Sequence, residues 1–315
     1  MTDTHDVIIV GGGPAALAAA IYSCRAELKT VLFEKTVLGG QVTKTYDVAN
    51  YPGFPDGVDG VELIQRMEQQ ARKFGTDVKL EEVTRVELEG VTKVVTTDAS
   101  TYRAPIAILA TGADPRKLGA PGENELRGRG VSYCATCDGP FFKGKKVAVV
   151  GGGDSAFKEG IFLTKFAEEV ALIHRSADFK AEKALQSQAK SNPKIKFVLN
   201  AAVKQIVGTD SVEGVIIKHV TTSAERELPV KGVFIFVGNV PNTGFLCNLF
   251  PVDCGGHIET DHNMETSIKG IYAIGDVRKH SYRQIATAVG EGATAAIAAE
   301  HRISELRPKT PASPS

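Results

Sequence analysis

The pattern of apolar and polar positions divides the chain into short apolar runs that stop at glycines and longer segments with helical spacing, and the order repeats. Asp6 to Val10 is an apolar run that ends at Gly11-Gly12-Gly13, and the Ala-rich stretch Ala15 to Ala26 after it is compatible with a helix. Lys29 to Glu34 reads as the next strand, which makes the opening a strand–helix–strand unit. The pattern returns with Lys146 to Val150 as strand, Gly151-Gly152-Gly153 as turn, Phe157 to Ala167 as helix and Val170 to His174 as strand. Such internal similarity predicts an α/β fold with two dinucleotide-binding, Rossmann-like domains.

Loop-like stretches follow the first unit at Gly39-Gly40-Gln41 and Asn50-Tyr51-Pro52-Gly53-Phe54-Pro55. Leu63, Met67, Ala71 and Phe74 recur at helical spacing, a pattern of core packing, and short β-type runs lie between Asp77 and Thr97. Ala104 to Ala110 is an apolar strand ending in Thr111-Gly112-Ala113-Asp114-Pro115, which reads as a crossing between domains. A polar helix from Lys180 and further β-type runs lead to Gly232–Gly238, and Pro241-Asn242-Thr243-Gly244 reads as the second crossing. Strand Ile271 to Ile274, Gly275-Asp276 and an Ala-rich helix from about Gln284 to Glu300 then rejoin the first domain. The expected organisation is a discontinuous domain of residues 1–114 and 243–315 with residues 115–242 inserted, and a disordered tail from Arg307 to Ser315.

The glycine turns carry chemistry because strand, glycines, helix, second strand and a terminal acid occur together. Gly11 permits a tight turn, Gly13 lets backbone approach a pyrophosphate, and the small Ala16 allows close helix packing. The phosphates would sit on the helix N-terminus, where unpaired N–H groups and the dipole favour anions. Glu34 follows Gly11 by 23 positions, near the usual place of the carboxylate that takes ribose hydroxyls. The second turn has Gly151, Gly153, Ser155 and Ala156, but His174 and Arg175 stand where the acid would be. An acid there would repel a 2′-phosphate, whereas Arg175 would accommodate one. The first turn is therefore expected to hold FAD and the second a nicotinamide dinucleotide, including the phosphorylated form.

Composition narrows the setting. With 43% hydrophobic and 23% charged residues the chain has an average globular balance, and 315 residues suffice for two cores. Lys+Arg and Asp+Glu each number 37, which argues against a nucleic-acid surface or a polybasic membrane patch. No apolar run approaches the ~20 residues of a membrane helix, and the polar start Met1 to Asp6 is unlike a secretory signal, so a cytoplasmic protein is expected. Five cysteines, an odd number, fit one redox pair with three bystanders better than a secreted disulfide framework.

That pair is Cys134-Ala135-Thr136-Cys137, followed by Asp138. Cysteines at this spacing can close a small disulfide ring, and Asp138 can shuttle the proton that thiol exchange requires. The rival readings are inert cysteines or half of a zinc site. Zinc needs a second ligand pair, and Cys247, Cys254 and His257 do not have a usual ligand spacing, so no metal is expected. Cys24, Cys247 and Cys254 are assigned to packing.

Taken together, Gly11 to Ala16, Asn50 to Phe54, Ala110-Thr111-Gly112, Cys134 to Gly139, Gly151 to Ala156 and Gly275-Asp276-Val277 with Tyr282-Arg283-Gln284 resemble the low-molecular-weight thioredoxin reductases over almost the whole chain. The resemblance implies a homodimeric FAD enzyme that takes hydride from NADPH and reduces the disulfide of thioredoxin or a thioredoxin-like protein. It further implies that Cys137 faces the flavin, that Cys134 attacks thioredoxin and that Asp138 is the acid/base. Gln41, Asn50, Thr111, Gly112, Asp276 and Gln284 match flavin contacts, and Arg129, Phe141 and Phe142 resemble the thioredoxin-docking loop.

The departures lie mostly in the nicotinamide domain. The family's His-Arg-Arg and later Phe-Arg are here His174-Arg175-Ser176 and Phe179-Lys180, so NADH use is also expected. Lys158 stands where an acid is usual and Lys279 where Asp is frequent, and nothing in the sequence explains either. Three alternatives stay open: a related enzyme drawing electrons from ferredoxin or another donor, an oxygen-using oxidase of small dithiols, and a flavin-binding structural or sensor protein with no need of Cys134 or Cys137.

Overall fold

A computed structural model describes residues 3–44, 48–246, 249 and 251–307; Cys247 and the tail from Pro308 lie outside the described residues. The helices are α1 (Pro14–Arg25), α2 (Gly60–Lys73), α3 (Ala135–Asp138), α4 (Asp154–Leu163), α5 (Lys183–Ser191) and α6 (Ile285–Leu306). The chain forms two compact units, one ending at Asp114 and resuming at Val240, the other inserted as Pro115–Asn239.

Each unit is built on a parallel five-stranded sheet whose central strand runs into a glycine turn. In the discontinuous unit the order is Ile271–Ala273, Ile106–Leu109, Val7–Val10, Thr30–Glu34, Asp77–Leu80. In the inserted unit it is Val131–Ser132, Gly232–Ile235, Lys146–Val150, Glu169–Ile173, Ile195–Val198. Val7–Val10 and residues 147–150 are buried throughout, which is why they read as continuous apolar runs and not as alternating ones. Each unit adds a smaller sheet, made of Asp3–Thr4, Thr101–Ala104, Thr92–Thr97 and Val83–Glu89 in the first and of Ala201–Val207, Gly214–His219 and Glu225–Pro229 in the second. The single strand expected at Ala104–Ala110 is split at Pro105: Ala104 ends a strand of the smaller sheet and Ile106–Leu109 joins the parallel one. Proline has no N–H to give a ladder, so the run changes sheets there.

Helix α2 buries Leu63, Ile64, Met67 and Ala71 along one face, and Asp59 caps it by accepting the N–H groups of Val61 and Glu62 at 2.9 and 3.0 Å. Small side chains let α1 and α6 approach closely, because a Cβ on Gly292 would run into the Ala15 carbonyl oxygen. Helix α6 continues past the expected end at Glu300 to Leu306, and Arg307 pairs with Asp6 at 3.2 Å. Half-buried Cys24 lies 3.3 Å from the Thr76 hydroxyl, whereas Cys254 is exposed and not packed. It sits in a polar turn tied by the Asp253 carboxylate, which accepts the Gly255 and His257 N–H groups at 2.8 Å.

Candidate active site

In the discontinuous unit, Gly11 has φ +106°, and a Cβ there would strike the Ala110 carbonyl, so the neighbouring strand closes the turn on glycine alone. Gly13 opens α1 with no side-chain cap, and a Cβ on it would meet nothing within 4 Å. The bare end of α1 contrasts with Asp59-capped α2. An uncapped helix terminus facing open space fits a pyrophosphate, which would accept its N–H groups and gain from the dipole. Ala16 is fully buried, and Glu34 accepts the N–H groups of Gly12 at 3.0 Å and Thr36 at 3.1 Å.

The other expected flavin residues fall in the same unit. The Asn50 amide donates to Gln284 Oε1 at 3.1 Å, which joins the Ala49–Pro55 loop, the wall of an open cavity of about 350 Å³, to the start of α6. Gln41 Nε2 donates to Asp114 Oδ1 at 2.5 Å. Asn242 binds back onto the Thr111-Gly112 turn: its N–H donates to the Gly112 carbonyl at 3.0 Å and its carbonyl accepts the Thr111 hydroxyl at 2.8 Å. Asp276 sits in the short turn Gly275–Val277, where burial pushes its carboxyl up while the Ser281 hydroxyl, donating at 3.1 Å, works against that shift.

Sequence reading missed the support for that turn. Arg278 and Glu291 form a largely buried ion pair at 2.7 Å, and the second Glu291 oxygen accepts the Gly275 N–H at 2.6 Å. The available signal was an acid, Glu291, between two glycines in the Ala-rich helix. Burial raises its pKa, and the Arg278 guanidinium opposes the rise.

The inserted unit repeats the arrangement with one exchange. Gly151 has φ +153°, and a Cβ on it would strike the Phe236 carbonyl. Gly153 opens α4 without a side-chain cap into space with nothing within 4 Å, while Ala156 is buried and Ser155 exposed. Where Glu34 lies over Gly12, the His174 ring lies over Gly152 so closely that a Cβ there would overlap it. His174 stacks on Phe179 with ring centroids 5.3 Å apart, and its Nε2 is 3.2 Å from the Asp178 carbonyl. Burial lowers the proton affinity of the ring, and the Arg175 and Lys180 cations lower it further. Both cations are exposed and make no ion pair among the described residues, and the Lys180 N–H donates to the Gly152 carbonyl at 2.9 Å. A bare helix end with unpaired cations beside it fits a phosphorylated dinucleotide. Lys158 is exposed on α4, and Lys279, in the other unit, pairs with Glu259.

Cys134 and Cys137 form a disulfide across the single turn of α3, with Cα atoms 5.3 Å apart. Cys134 Sγ caps the turn by accepting the Cys137 N–H at 3.2 Å. Asp138 follows directly, its carboxyl raised by burial and held by the Ser132 hydroxyl at 2.5 Å, which pulls the other way. Ser132 gave no sequence signal, because its bond spans six positions in a segment without periodicity.

Of the expected docking residues, Arg129 is exposed, its guanidinium donating to the Glu125 carbonyl at 2.6 Å, and Phe141 is 52% exposed. Phe142 does not share that exposure. It is only 8% exposed, packs edge-on against Phe234 with centroids 5.2 Å apart, and fills the space over Gly232. Consecutive residues at the end of the segment point in opposite directions, so the surface presents one ring.

Residues 5–292 match the family model of the pyridine nucleotide-disulphide oxidoreductases, and the chain belongs to that family. It is 44% identical over 306 residues to a thioredoxin reductase of Peptoclostridium acidaminophilum, covering 95% of this chain and 97% of the relative. It is 44% identical over 303 residues to a bifunctional thioredoxin reductase/thioredoxin of Mycobacterium leprae, covering 96% of this chain and 66% of that protein. The crystal structure of thioredoxin reductase from Streptococcus pyogenes matches with a TM-score of 0.92 at 43% identity, over 97% of this chain and 100% of that one. Within the family the chain is a flavoprotein disulfide reductase of the low-molecular-weight thioredoxin reductase group. No helix among the described residues is long and apolar enough to cross a membrane.

Proposed function

We propose that this enzyme carries electrons from NADPH through FAD to the Cys134–Cys137 disulfide, and from there to thioredoxin or a thioredoxin-like protein. The observation that carries the reading is the disulfide itself, closed over one helical turn with a held carboxyl, Asp138, next to it. In this reading FAD sits on Gly11, Gly13 and Ala16 with Glu34 at its ribose, and is bounded by Gln41, Asn50, Thr111, Gly112, Asp276 and Gln284. The nicotinamide dinucleotide sits on Gly151, Gly153, Ser155 and Ala156, with His174, Arg175 and Lys180 around its 2′-phosphate. When bound, the flavin takes hydride from the nicotinamide and supplies two electrons to the disulfide.

The protein's own groups do the rest. Opening the Cys134–Cys137 bond takes up two electrons and two protons and leaves two thiols, and Asp138 delivers a proton at the Cys137 sulfur. Its raised pKa keeps the acid form present at higher pH than an ordinary carboxyl would allow. Cys134, as thiolate, attacks the partner's disulfide and releases one partner thiolate; Cys137 then attacks Cys134 Sγ, re-forms the internal disulfide and releases the second. Exposed Phe141 and Arg129 are offered to the partner. The Mycobacterium leprae relative, whose name joins a reductase and a thioredoxin, supports thioredoxin in that role. A cytoplasmic homodimer belongs to the same reading. NADPH oxidation that depends on added oxidised thioredoxin is the expected result for the FAD-loaded protein. Activity only with reduced ferredoxin as donor, or only with oxygen and a small dithiol, would replace it.

A further inference from the structure

Ser132 ends the two-residue strand Val131–Ser132 at the edge of the inserted unit's parallel sheet and is 4% exposed. Its hydroxyl oxygen has three polar neighbours: Asp138 Oδ2 at 2.5 Å, the Cys134 carbonyl oxygen at 3.2 Å, and the Cys134 N–H, which donates to it at 3.1 Å. A hydroxyl has one proton to give and two lone pairs to receive. The Cys134 N–H takes one lone pair, which leaves one donor and one acceptor. When Asp138 is ionised, the Ser132 proton goes to the carboxylate, the shorter and charge-assisted bond. When Asp138 is protonated, its own O–H can turn to the free lone pair of Ser132, and the Ser132 proton is released to the Cys134 carbonyl. Every buried polar group in the cluster then keeps a partner in both states.

We infer that Ser132 is a positioning residue for the thiol–disulfide step, a hydroxyl that exchanges its proton between Asp138 and the Cys134 carbonyl and so holds the carboxyl in place through a cycle of protonation. The inference rests on Asp138 being the acid/base of the redox pair. In the step it serves, the Cys134–Cys137 bond opens as two electrons arrive from the reduced flavin and two protons are taken up, one of them from Asp138. Asp138 then returns to its acid form from solvent. The Ser132 hydroxyl bonds to Asp138 and the Cys134 backbone, and acts through them.

With Cys134 and Cys137 joined in the disulfide, the other ionisable groups near the turn are Tyr133 before it, Asp154, Lys158 and Glu159 on α4, which packs against α3, and Lys143 and Lys145 beyond Phe142. None of them contributes to the shift of Asp138, which burial raises and Ser132 lowers. Removal of the hydroxyl therefore has a defined sign: the carboxyl loses the partner that favours its ionised form.

The test uses full-length, FAD-loaded enzyme and follows thioredoxin turnover and the stopped-flow thiol–disulfide step across pH. Ser132→Ala is expected to move the Asp138-dependent limb up by about one pH unit and to slow the thiol step about tenfold, in line with loss of one charge-assisted bond. Ser132→Thr is expected to restore both. In an Asp138→Asn background, Ser132→Ala is expected to add nothing. Ser132→Gly serves in place of the alanine variant if that one does not fold. An unmoved pH limb in a folded, FAD-loaded variant, or equal slowing in the Asp138→Asn background, would overturn the inference while leaving Asp138 in its role. A profile that Asp138→Asn itself leaves unchanged would remove the foundation as well.

Discussion

Glu34 reaches back to the turn that opens α1, where its carboxylate accepts the Gly12 N–H at 3.0 Å. In the inserted unit the His174 ring occupies the corresponding place over Gly152. The two glycine turns thus share a backbone solution and differ in the side chain that closes them. A carboxylate there holds free ribose hydroxyls, and an imidazole flanked by cations leaves room for a phosphate. Glu34→Ala is accordingly expected to weaken FAD binding about 10- to 150-fold, the equivalent of a charge-assisted hydrogen bond of about 1.5 to 3 kcal/mol. Titration of the apoprotein by flavin fluorescence measures it. Full affinity in a folded variant would mean that the carboxylate serves the turn alone.

Phe141 and Phe142 are adjacent in sequence and differ in burial. Phe141→Ala removes an exposed ring and is expected to raise KM for thioredoxin with little change in thermal stability. Phe142→Ala opens a cavity beside Phe234 and is expected to cost about 3 to 5 kcal/mol of stability. Equal losses of stability in both variants, seen in denaturant melts, would contradict this division.

In the proposed mechanism Asp138 links activity to stability with opposite signs. Its carboxyl is raised by burial, so the folded chain binds that proton more tightly than the unfolded chain does. The group therefore favours folding below the ordinary carboxylate range, and that contribution is lost as pH rises through its raised value. Near neutrality the ionised, buried carboxylate opposes folding. Asp138→Asn is expected to be at least as stable as the parent there, with any advantage fading toward acid pH, while turnover with thioredoxin falls ~10²- to 10⁴-fold. Thermal melts and turnover measured on the same samples check both signs; a variant that lost stability and activity together would make the residue structural.

What could be read in the sequence was local. Gly11 and Gly151 announce turns because φ in the left-handed region and a carbonyl against the Cα exclude other residues, and Cys134 and Cys137 sit one helical turn apart. The buried Leu63, Met67 and Ala71 of α2 follow from spacing alone, but Phe74, which the same spacing joined to them, lies past the helix end and is exposed. Contacts between distant segments left no periodic trace. Ser132 on Asp138 and Glu291 on Arg278 and Gly275 are decided by how strands and helices meet. Phe142 was grouped with Phe141 by resemblance to a docking loop, and only the Gly232 gap explains its burial. Pro105 was visible, but the change of sheet it marks was not.

Nicotinamide preference turns on the segment from His174 to Lys180. Arg175 and Lys180 stand beside the His174 ring, and Ser176 in the same exposed turn supplies no cation. The enzyme is expected to favour NADPH modestly and to use NADH. Ser176→Arg should add a charge-assisted contact and lower KM for NADPH roughly 10- to 150-fold with little effect on NADH. Steady-state kinetics with both nucleotides decides it. A strong NADH preference in the parent, or no response to the substitution, would place the 2′-phosphate elsewhere.

Electrons must reach Cys134–Cys137 before they leave for an external disulfide, and anaerobic NADPH titration of the FAD-loaded enzyme, with thiols counted at the end point, measures this most directly. In the parent, one hydride is expected to reduce the flavin and a second the disulfide, and added oxidised thioredoxin should then reoxidise the pair. In Cys134→Ser and Cys137→Ser the flavin should still bleach, with the second equivalent and thioredoxin reduction both lost. Flavin bleaching that leaves the parent's disulfide closed, or thioredoxin reduction that survives either substitution, would contradict the proposed electron path.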